Sequence, residues 1–505
     1  MTDSASARVR AGLNHPVIDA DGHWLELQPV FLDYFVQIAG PKNVDRYLKS
    51  VERDNSYDWY RATSDERARN RMKRPPWWVA PNHPLDRTAA MVPALFRERL
   101  DDWGIDFSIV YPSLGLNLPR MQDAELRRAL VRAYNTMAAD LFKPYADRMT
   151  PAGVCPMNTP EEAMEEADYA VRTLGLKVLV MNCTVRRPIL ADADWQPDLS
   201  KRRTYFDSLA LDSPYDYDPV WHKLTSLRVA VTNHMGSQGW PDRSSTTNFV
   251  ADHLGHFAQS HHVFARSLFL GGVTERFPSL TFGFLEGGVG WACNLYADLI
   301  GHWKKRNKKS MHESLKPTNL DRTEVRRIME HYSRSMKCLE GKIDDILARN
   351  LFCMNPYLSQ EELAERDLES DDFSSVSIGG PDDIRRLFAR NFYFGCEADD
   401  PITAWAFDKK SDTLLKPVLG SDVSHFDVVD ASKVLSEAWE MVERGAIDAE
   451  NFRSFVFSNT VELHGRMNPE FFAGTAIETE ARRELEAFTS TGSREGSEPP
   501  MGVMC

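Results

Sequence analysis

The 505-residue sequence has no surplus of positive charge, since 60 Lys and Arg stand against 74 Asp and Glu and the formal net charge is −14. Binding along a nucleic acid requires clustered basic side chains that neutralise phosphates. One short basic run, HWKKRNKK at 302–309, is the local exception, and we interpret it as the solvated end of a helix. The composition therefore argues against a nucleic-acid-binding protein.

Disulfide patterns and long apolar runs are also missing. The 7 cysteines form no C-x-x-C pair and no even framework, which argues against a disulfide-stapled fold and indicates a reducing compartment. No uncharged stretch is long enough to span a bilayer, and the N-terminus has no apolar core of the signal-peptide type. We therefore expect a cytoplasmic protein that does not enter a membrane.

Short β-rich runs are present along the chain and often end in Gly, Asp, His or Asn. Helix-like stretches such as Ala124–Phe142 separate several of them, and Thr159 is predicted to cap a helix that begins at Pro160. Repeated strand–helix units predict a parallel (β/α)₈ barrel. An open dinucleotide-binding sheet is the weaker alternative, because no Gly-x-Gly-x-x-Gly follows the first run. The runs cover residues 16–20, 107–112, 149–155, 177–181, 228–233, 280–285, 391–396 and 417–420.

Two intervals between the predicted strands, about 25–99 and 302–390, are too long for ordinary loops. We expect these insertions to cover the active site or to make subunit contacts. The last residues, 489–505, are rich in Ser, Gly, Glu and Pro, which predicts a disordered tail. The domain prediction is one elaborated barrel over residues 1–488. We expect a homodimer, with a hetero-oligomer as the open alternative.

The predicted strand ends carry the most polar residues. Side chains at the C-terminal ends of barrel strands meet on one face, even when they are distant in sequence. Asp21 and His23 follow the first strand, and residues two apart in an extended segment point the same way, so both can bind one cation. His234, Glu286 and Asp422 follow the fifth, sixth and eighth strands. Mixed imidazole and carboxylate ligands suit Zn²⁺, Fe²⁺ or Mn²⁺.

Four longer segments resemble the amidohydrolase superfamily, in particular the amidohydrolase-related branch that includes aminocarboxymuconate-semialdehyde decarboxylase and resorcylate-type decarboxylases. The segments are VIDADGHWLE at 17–26, RLDDWGIDFSIVYPS at 99–113, GGVTERFPSLTFGFLEGGVGW at 271–291 and LGSDVSHFD at 419–427. The resemblance covers most of the chain and implies a TIM barrel with a divalent metal ion. The fourth strand lacks the lysine that bridges two metals in carbamylated members, so one ion is the first expectation and two ions are the alternative.

The resemblance places the family's metal ligands on Asp21, His23, His234 and Asp422. Relatives often carry His-x-His or Glu-x-His where this chain has Asp-x-His, which bears on the preferred metal. Decarboxylase relatives usually carry a catalytic histidine on the sixth strand, where this chain has Glu286. Glu286 is therefore a candidate fifth ligand, general base or residue that orients an imidazole, or else the partner of a nearby arginine.

Several further histidines are candidates for substrate binding. His253 and His256, three residues apart, are expected to share a helix face, and His262 follows them. The alternative for these three is an exposed polar helix face. His425 follows Asp422 by three residues and is expected to hold a substrate carboxylate or to cap the next helix. With Asp19 and Glu286, such histidines could also supply the ligands of a second ion.

The leading hypothesis is a metal-dependent hydrolase in which the ion activates water toward a small organic substrate, with Asp422 or Glu286 as the base and His234 in the catalytic set. One alternative is a non-oxidative decarboxylase of an aromatic or muconate-type acid. A dinuclear iron or manganese enzyme that activates oxygen and a non-catalytic scaffold subunit are the others. Aromatic residues of the first insertion suggest a pocket for an apolar or ring-containing substrate, although aromatics are equally common in dimer interfaces. They are Tyr57, Trp59, Tyr60, Trp77 and Trp78.

Overall fold

The structure is a computed structural model that describes residues 4–52, 59–75, 81–189, 204–235, 244–316, 319–349, 371–410 and 413–495. Tyr57, Trp77, Trp78 and the end of the predicted tail, 496–505, lie outside the described residues. The chain divides into two compact units, one of Met1–Leu295 with Arg385–Cys505 and one of Tyr296–Ile384. All the predicted strands belong to the first unit.

Eight parallel strands form a nearly closed barrel in the first unit, and each strand pairs with the next one along the chain. The predicted (β/α)₈ barrel is therefore confirmed. The strands are β1 (Ile18–Trp24), β2 (Phe107–Pro112), β3 (Met149–Val154), β4 (Val178–Met181), β5 (Val231–Asn233), β6 (Phe282–Phe284), β7 (Phe392–Glu397) and β8 (Pro417–Gly420). Two short antiparallel hairpins, Val185–Pro188 with Thr204–Asp207 and Phe407–Asp408 with Thr413–Leu414, are separate from this sheet.

Helices follow most of the strands, as the alternating pattern predicts. The helix Ala124–Phe142 has its predicted bounds, and the Thr159 hydroxyl accepts a hydrogen bond from the Glu162 amide at the predicted cap. The α-helices of the first unit are Ala5–Gly12, Gln28–Glu52, Ser64–Arg69, Pro84–Ala89, Pro93–Trp103, Ala124–Phe142, Pro160–Asp168, Asp218–Leu227, Phe249–His253, His256–Leu270, Val273–Arg276, Val434–Glu443, Ala449–Arg453, Asn459–Gly465 and Glu478–Glu495. In the described ranges, no helix combines the length and the apolar character needed to cross a bilayer.

The second unit is helical. Its helices are Lys308–Ser314, Arg322–Tyr332 and Ile343–Arg349, and the helices Gly290–Arg306 and Pro381–Phe388 each begin in one unit and end in the other. The Arg322 guanidinium donates to the Leu347 carbonyl (3.0 Å), which joins two of these helices. Lys304, Lys305 and Arg306 form the exposed last turn of their helix, so the basic run is the solvated helix end that its composition predicts.

Packed aromatic rings support the barrel where β6 and β7 lie side by side. The Phe284 ring lies 5.2 Å from Phe392 and 5.6 Å from Trp291, and Trp291 lies 5.5 Å from Phe394. Edge-to-face contacts of this kind add to the free energy gained from apolar burial. They hold rigid the strand end from which Glu286 emerges.

Asp19 joins the first and last strands of the barrel. Its Oδ1 accepts a hydrogen bond from the Ser421 amide (2.9 Å) and its Oδ2 accepts one from the Ser108 hydroxyl (2.7 Å). Burial raises the pKa of this carboxyl to about 6, and these hydrogen bonds act in the opposite direction. Asp19 therefore has a structural role in the barrel wall. It belongs to none of the potential ligand groups among the described residues.

We predict that Asp19→Ala destabilises the barrel, because it leaves the buried Ser421 amide without an acceptor. An unsatisfied buried donor costs about 1–3 kcal/mol, so the free energy of unfolding should fall by that amount. Urea denaturation followed by circular dichroism measures it. Asp19→Asn keeps an oxygen for Ser421 and should recover most of the loss, while Asp33→Ala, at an exposed position, is the matched control. Equal stability of Asp19→Ala and the control would contradict the assigned role.

Candidate metal centre

Four predicted ligands meet at the C-terminal end of the barrel. His23 Nε2 lies 3.4 Å from Asp21 Oδ1 and 3.5 Å from Asp422 Oδ1. His234 Nε2 lies 4.0 Å from Asp21 Oδ2. All four side chains are buried. The strand ends thus bring together Asp21, His23, His234 and Asp422 as the sequence predicts, although Asp422 lies 401 positions after Asp21 in the chain.

Hydrogen bonds decide which imidazole nitrogen faces this cluster. His23 Nδ1 lies 3.2 Å from the Pro112 carbonyl and His234 Nδ1 lies 2.9 Å from the Met235 carbonyl. Because a carbonyl only accepts, each Nδ1 carries the proton and each Nε2 presents a lone pair. Within the described ranges, both Nε2 atoms and both Asp21 oxygens are buried without a hydrogen-bond partner. Buried acceptors that face one another need a shared cation, and this donor set fits a divalent metal ion.

Burial without counter-charges is costly at this cluster. Burial raises the pKa of Asp21 to about 7. It raises the pKa values of Glu286 and Asp422 well above their usual range, and the negative charges of neighbouring carboxylates raise these two further. Burial lowers the pKa values of His23 and His234 to about 3, so both rings are neutral. Neutral imidazoles and carboxylates are the forms that bind metals.

The backbone at the ligands is both fixed and strained. The Asp422 amide donates to the Asp21 carbonyl and the His23 amide donates to the Val423 carbonyl, each at 3.0 Å. Asp422 and Glu286 both adopt left-handed backbone angles, with φ of 48° and 57°. Such angles cost non-glycine residues free energy and are found most often at functional sites. Two strained positions are thus carboxylates that follow β8 and β6, and Ser424, in the same loop as Asp422, also has a positive φ of 93°.

Glu286 is turned into the cluster. Its Oε2 lies 2.8 Å from His234 Nε2, and its side chain is only 3% exposed. Because that Nε2 carries a lone pair, the contact joins two acceptors and requires a proton or a cation between them. Among the described residues, the ion-pair partner of Glu286 is His234 and not an arginine. This geometry favours the predicted roles at the metal over the predicted arginine pair.

His425 lies against the ligands. Its ring stacks on His23 with centroids 3.9 Å apart, and its Nδ1 lies 2.6 Å from Asp422 Oδ1. Its Nε2 lies 3.0 Å from the Ser113 hydroxyl. Asp430, and not His425, caps the short helix that follows, so the capping alternative is wrong. His425 is placed to orient the Asp422 carboxylate or to join the ligand set.

The expectation that His253 and His256 share a helix face is wrong. One helix, Phe249–His253, ends at the first histidine, and the next, His256–Leu270, begins at the second. Gly255 between them has a φ of 70°. This left-handed residue breaks the helical repeat and separates the directions of the two rings.

The substrate-binding candidates therefore occupy different places. His253 offers a nitrogen close to carboxylate oxygens of Glu286 and Asp427. His256 and His262 belong to none of the potential ligand groups in the part of the chain that is described. Of the four histidines predicted to bind substrate, only His253 and His425 belong to potential ligand groups among the described residues.

Two acidic residues of the cluster are not predicted from the sequence. Glu397 is the last residue of β7, and burial together with the negative charge of Asp427 raises its pKa to about 8. The predicted strand stops at Cys396, one residue short, and a strand extended by one position would reveal Glu397 by the same strand-end argument. Asp427 lies in the loop after β8, inside the segment LGSDVSHFD, where strand position gives no signal.

A cavity of about 120 Å³ opens over the loops that follow β2, β3, β4 and β5. The Arg120 and Arg186 side chains line it, together with Asn158 and Thr184. Within the described part of the chain, Asn158 Oδ1 and Thr184 Oγ1 are buried and have no hydrogen-bond partner. Buried polar atoms of this kind indicate a place for a polar ligand or ordered water.

The cavity adjoins the metal ligands and is basic. Met235 lines it, and the Met235 carbonyl is the group that accepts a hydrogen bond from His234. Burial lowers the pKa of Lys73 to about 8, the positive charges of Arg120 and Arg186 act in the same direction, and the negative charge of Asp252 opposes them. An anionic group bound here would lie beside the ligand cluster.

The match to one family model and the fold of one solved structure agree with this architecture. A family model described as amidohydrolase matches residues 18–312. An amidohydrolase from Mycobacterium avium subsp. paratuberculosis superposes with a TM-score of 0.50 at 16% identity, over 90% of this chain and 100% of that one. A manganese-bound dihydroxybenzoic acid decarboxylase from Polaromonas gives 0.46 at 13% identity, over 91% and 99%. A 5-carboxyvanillate decarboxylase from Sphingomonas paucimobilis gives 0.47 at 14%, over 89% and 98%. No curated protein matches the sequence.

The barrel and its ligand-bearing strand ends define a metal-dependent TIM-barrel enzyme. The family match extends over more than half of the 505 residues. The chain belongs to the amidohydrolase family, and it is a metal-dependent hydrolase or carboxy-lyase of that superfamily. The predicted family resemblance is thus confirmed.

We predict that Glu286→Gly stabilises the metal-free protein while it weakens metal binding. Glycine accepts the left-handed φ without strain, and the change removes a buried carboxylate that faces other acceptors, so the free energy of unfolding should rise by about 1 kcal/mol or more. Thermal denaturation after chelation measures this. Glu286→Gln keeps the strained backbone and removes the charge, so it separates the contribution of backbone strain from that of the buried carboxylate. A less stable metal-free Glu286→Gly protein would contradict the prediction.

Proposed function

We propose that this protein is a metal-dependent, non-oxidative carboxy-lyase that acts on a small hydroxylated aromatic acid. The observation that carries the proposal is the basic cavity beside the ligand cluster. Arg120 and Arg186 suit a carboxylate, while Asn158 Oδ1 offers an acceptor for a substrate hydroxyl and the Thr184 hydroxyl offers a donor. A carboxylate next to a hydroxyl is the group that such an enzyme must recognise.

A divalent ion held by Asp21, His23, His234 and Asp422 would supply Lewis acidity toward the substrate oxygens. The number of carboxylates around the imidazoles favours a hard ion, and we propose manganese before iron or zinc. Glu286 lies within the same cluster, and in this proposal it delivers a proton to the carbon that loses its carboxylate. The arginines orient the acid, and the buried position of the cluster excludes water.

Hydrolysis is the second candidate function, and Asp422 is the residue that favours it. Its Oδ2 is buried without a hydrogen-bond partner among the described residues, and its Oδ1 lies 2.6 Å from His425 Nδ1. A carboxylate oriented in this way can accept a proton from an attacking water molecule.

Retention of the whole ligand cluster argues against the scaffold alternative. The homodimer and the cytoplasmic location stay predictions.

The two candidate functions are separated by product analysis. The manganese-loaded protein is expected to release CO₂ from hydroxybenzoic acids with a hydroxyl next to the carboxylate, measured together with the ring product by chromatography. Asp422→Asn should lower this rate at least about 100-fold, because it removes a ligand and the charge opposite the ion. Cleavage of ester, amide or lactone substrates without CO₂ would establish the hydrolase instead. If the protein catalyses neither reaction on any substrate of the two panels, the proposal is contradicted.

Arg120→Gln is predicted to raise KM for an acidic substrate about tenfold, because one charge-assisted hydrogen bond to a carboxylate is lost. The change should leave kcat nearly unaltered, since Arg120 is outside the proposed ligand set. Arg334→Gln, at an exposed position of the second unit, is the matched control. Equal KM values for Arg120→Gln and the control would show that the cavity is not the acid-binding site.

A further inference from the structure

We propose that His261 is a positioning residue that fixes the carboxylate of Glu286 against the metal centre. His261 lies on the helix His256–Leu270 and is fully buried. Its Nε2 lies 2.5 Å from the carbonyl oxygen of Leu285, the residue directly before Glu286. The inference rests on the proposed function, because Glu286 acts there at the metal centre.

The hydrogen bonds of the His261 ring determine which of its nitrogens carries the proton. Burial lowers the pKa of His261 to about 4, so the ring is neutral and carries one proton. The Leu285 carbonyl only accepts, which places that proton on Nε2. Nδ1 therefore presents a lone pair, and it lies 3.1 Å from the Cys183 sulfur. Burial raises the pKa of the Cys183 thiol, so this thiol keeps its hydrogen and donates it to Nδ1.

Cys183 connects this ring to the cavity that is proposed to bind the acid. It lies two residues after the end of β4, and its neighbours Asn182 and Thr184 both line the cavity. His261 thus accepts a hydrogen bond from the loop after β4 and donates one to the turn after β6. The first of these segments carries Thr184 and the second carries Glu286. One imidazole therefore fixes the separation between the acid-binding loop and the carboxylate at the metal centre.

The His261 ring fits tightly against the turn after β6. Its centroid lies 5.7 Å from Phe284 and 6.0 Å from Trp291. A Cβ atom on Gly287 would lie 2.8 Å from His261 Cδ2, which is closer than two nonbonded carbons approach. Glycine at position 287 thus allows the ring to come within hydrogen-bond distance of the Leu285 carbonyl.

Both backbone polar groups of Leu285 are held. Its amide donates to the Asn233 carbonyl (3.1 Å), and its carbonyl accepts from His261. Glu286, the next residue, has a φ of 57°, and its Oε2 lies 2.8 Å from His234 Nε2. A left-handed φ in a non-glycine residue persists only where the surrounding contacts impose it. Without the hydrogen bond from His261, the peptide before Glu286 can rotate, and a displacement of about 1 Å can lower a rate about 100-fold.

The test is a double-mutant cycle on manganese binding to the full-length, chelator-stripped protein. Its members are the wild type, His261→Leu, Glu286→Gln and the double variant, and calorimetric titration gives the dissociation constant for Mn²⁺ of each. Glu286→Gln is expected to weaken binding, because it removes a negative charge near the ion. His261→Leu should weaken binding about tenfold, because it displaces Glu286. In the Glu286→Gln background, the loss of His261 should add less than about twofold.

Two further variants separate positioning from a general loss of structure. His261→Gln keeps an N–H group for the Leu285 carbonyl and should bind Mn²⁺ within about threefold of the wild type. Ser267→Ala, on the same helix, removes the oxygen that accepts from the Leu211 amide and is the matched control. It should lower the thermal stability and leave the dissociation constant for Mn²⁺ unaltered. Circular dichroism verifies that all variants are folded.

Effects of His261→Leu and Glu286→Gln that multiply in the double variant would overturn the proposal. It would also be overturned if either single variant bound Mn²⁺ as the wild type does, or if His261→Gln lost as much affinity as His261→Leu. A protein that takes up no manganese contradicts the metal centre of the proposed function, and the role of His261 with it. If the wild type binds manganese but releases no CO₂, the proposed reaction is wrong, and the binding cycle still decides the role of His261.

Discussion

The joining of the first and last strands is the constraint on which the site depends. Asp19 receives hydrogen bonds from both neighbouring strands, and two backbone hydrogen bonds link the ends of β1 and β8. Without this closure, Asp21 and His23 would have no fixed relation to Asp422, which lies 400 residues later in the chain. The same few interactions thus complete the barrel and set the distances between the ligand atoms.

Closure also creates an electrostatic problem, because no Lys or Arg among the described residues forms an ion pair with Asp21, Glu286 or Asp422. Lone pairs of two imidazoles and the oxygens of several carboxylates face one another out of contact with water. Strained backbone angles at Glu286 and Asp422 persist in spite of their cost. Such an arrangement is stable only because the surrounding barrel imposes it, and it gains free energy when cations enter. The cluster thus lowers the free energy of unfolding of the metal-free protein, and it increases the free energy gained when cations bind.

Much of this organisation can be predicted from the sequence, for physical reasons. The eight strands are evident because buried parallel strands are short apolar runs bounded by polar residues. Asp21, His23, His234 and Asp422 are evident because each stands at a strand end. Features that depend on loops are not evident in this way. Asp427 and the Arg120 cavity come from loops whose course no periodicity encodes, and the left-handed Gly255 overrides the helical spacing that pairs His253 with His256.

Glu286 shows how one residue type can change the chemistry of a shared barrel. A histidine at the end of the sixth strand offers one nitrogen toward the centre and carries no negative charge when neutral. A glutamate there offers two oxygens and a charge, and Asp427, Glu397 and His253 lie close enough to act on it or to bind beside it. The additional carboxylate increases the negative charge of the cluster, and burial raises the pKa of Glu286 well above its usual range. Glu286 therefore changes the charge of the cluster and brings a second carboxylate oxygen close to His234.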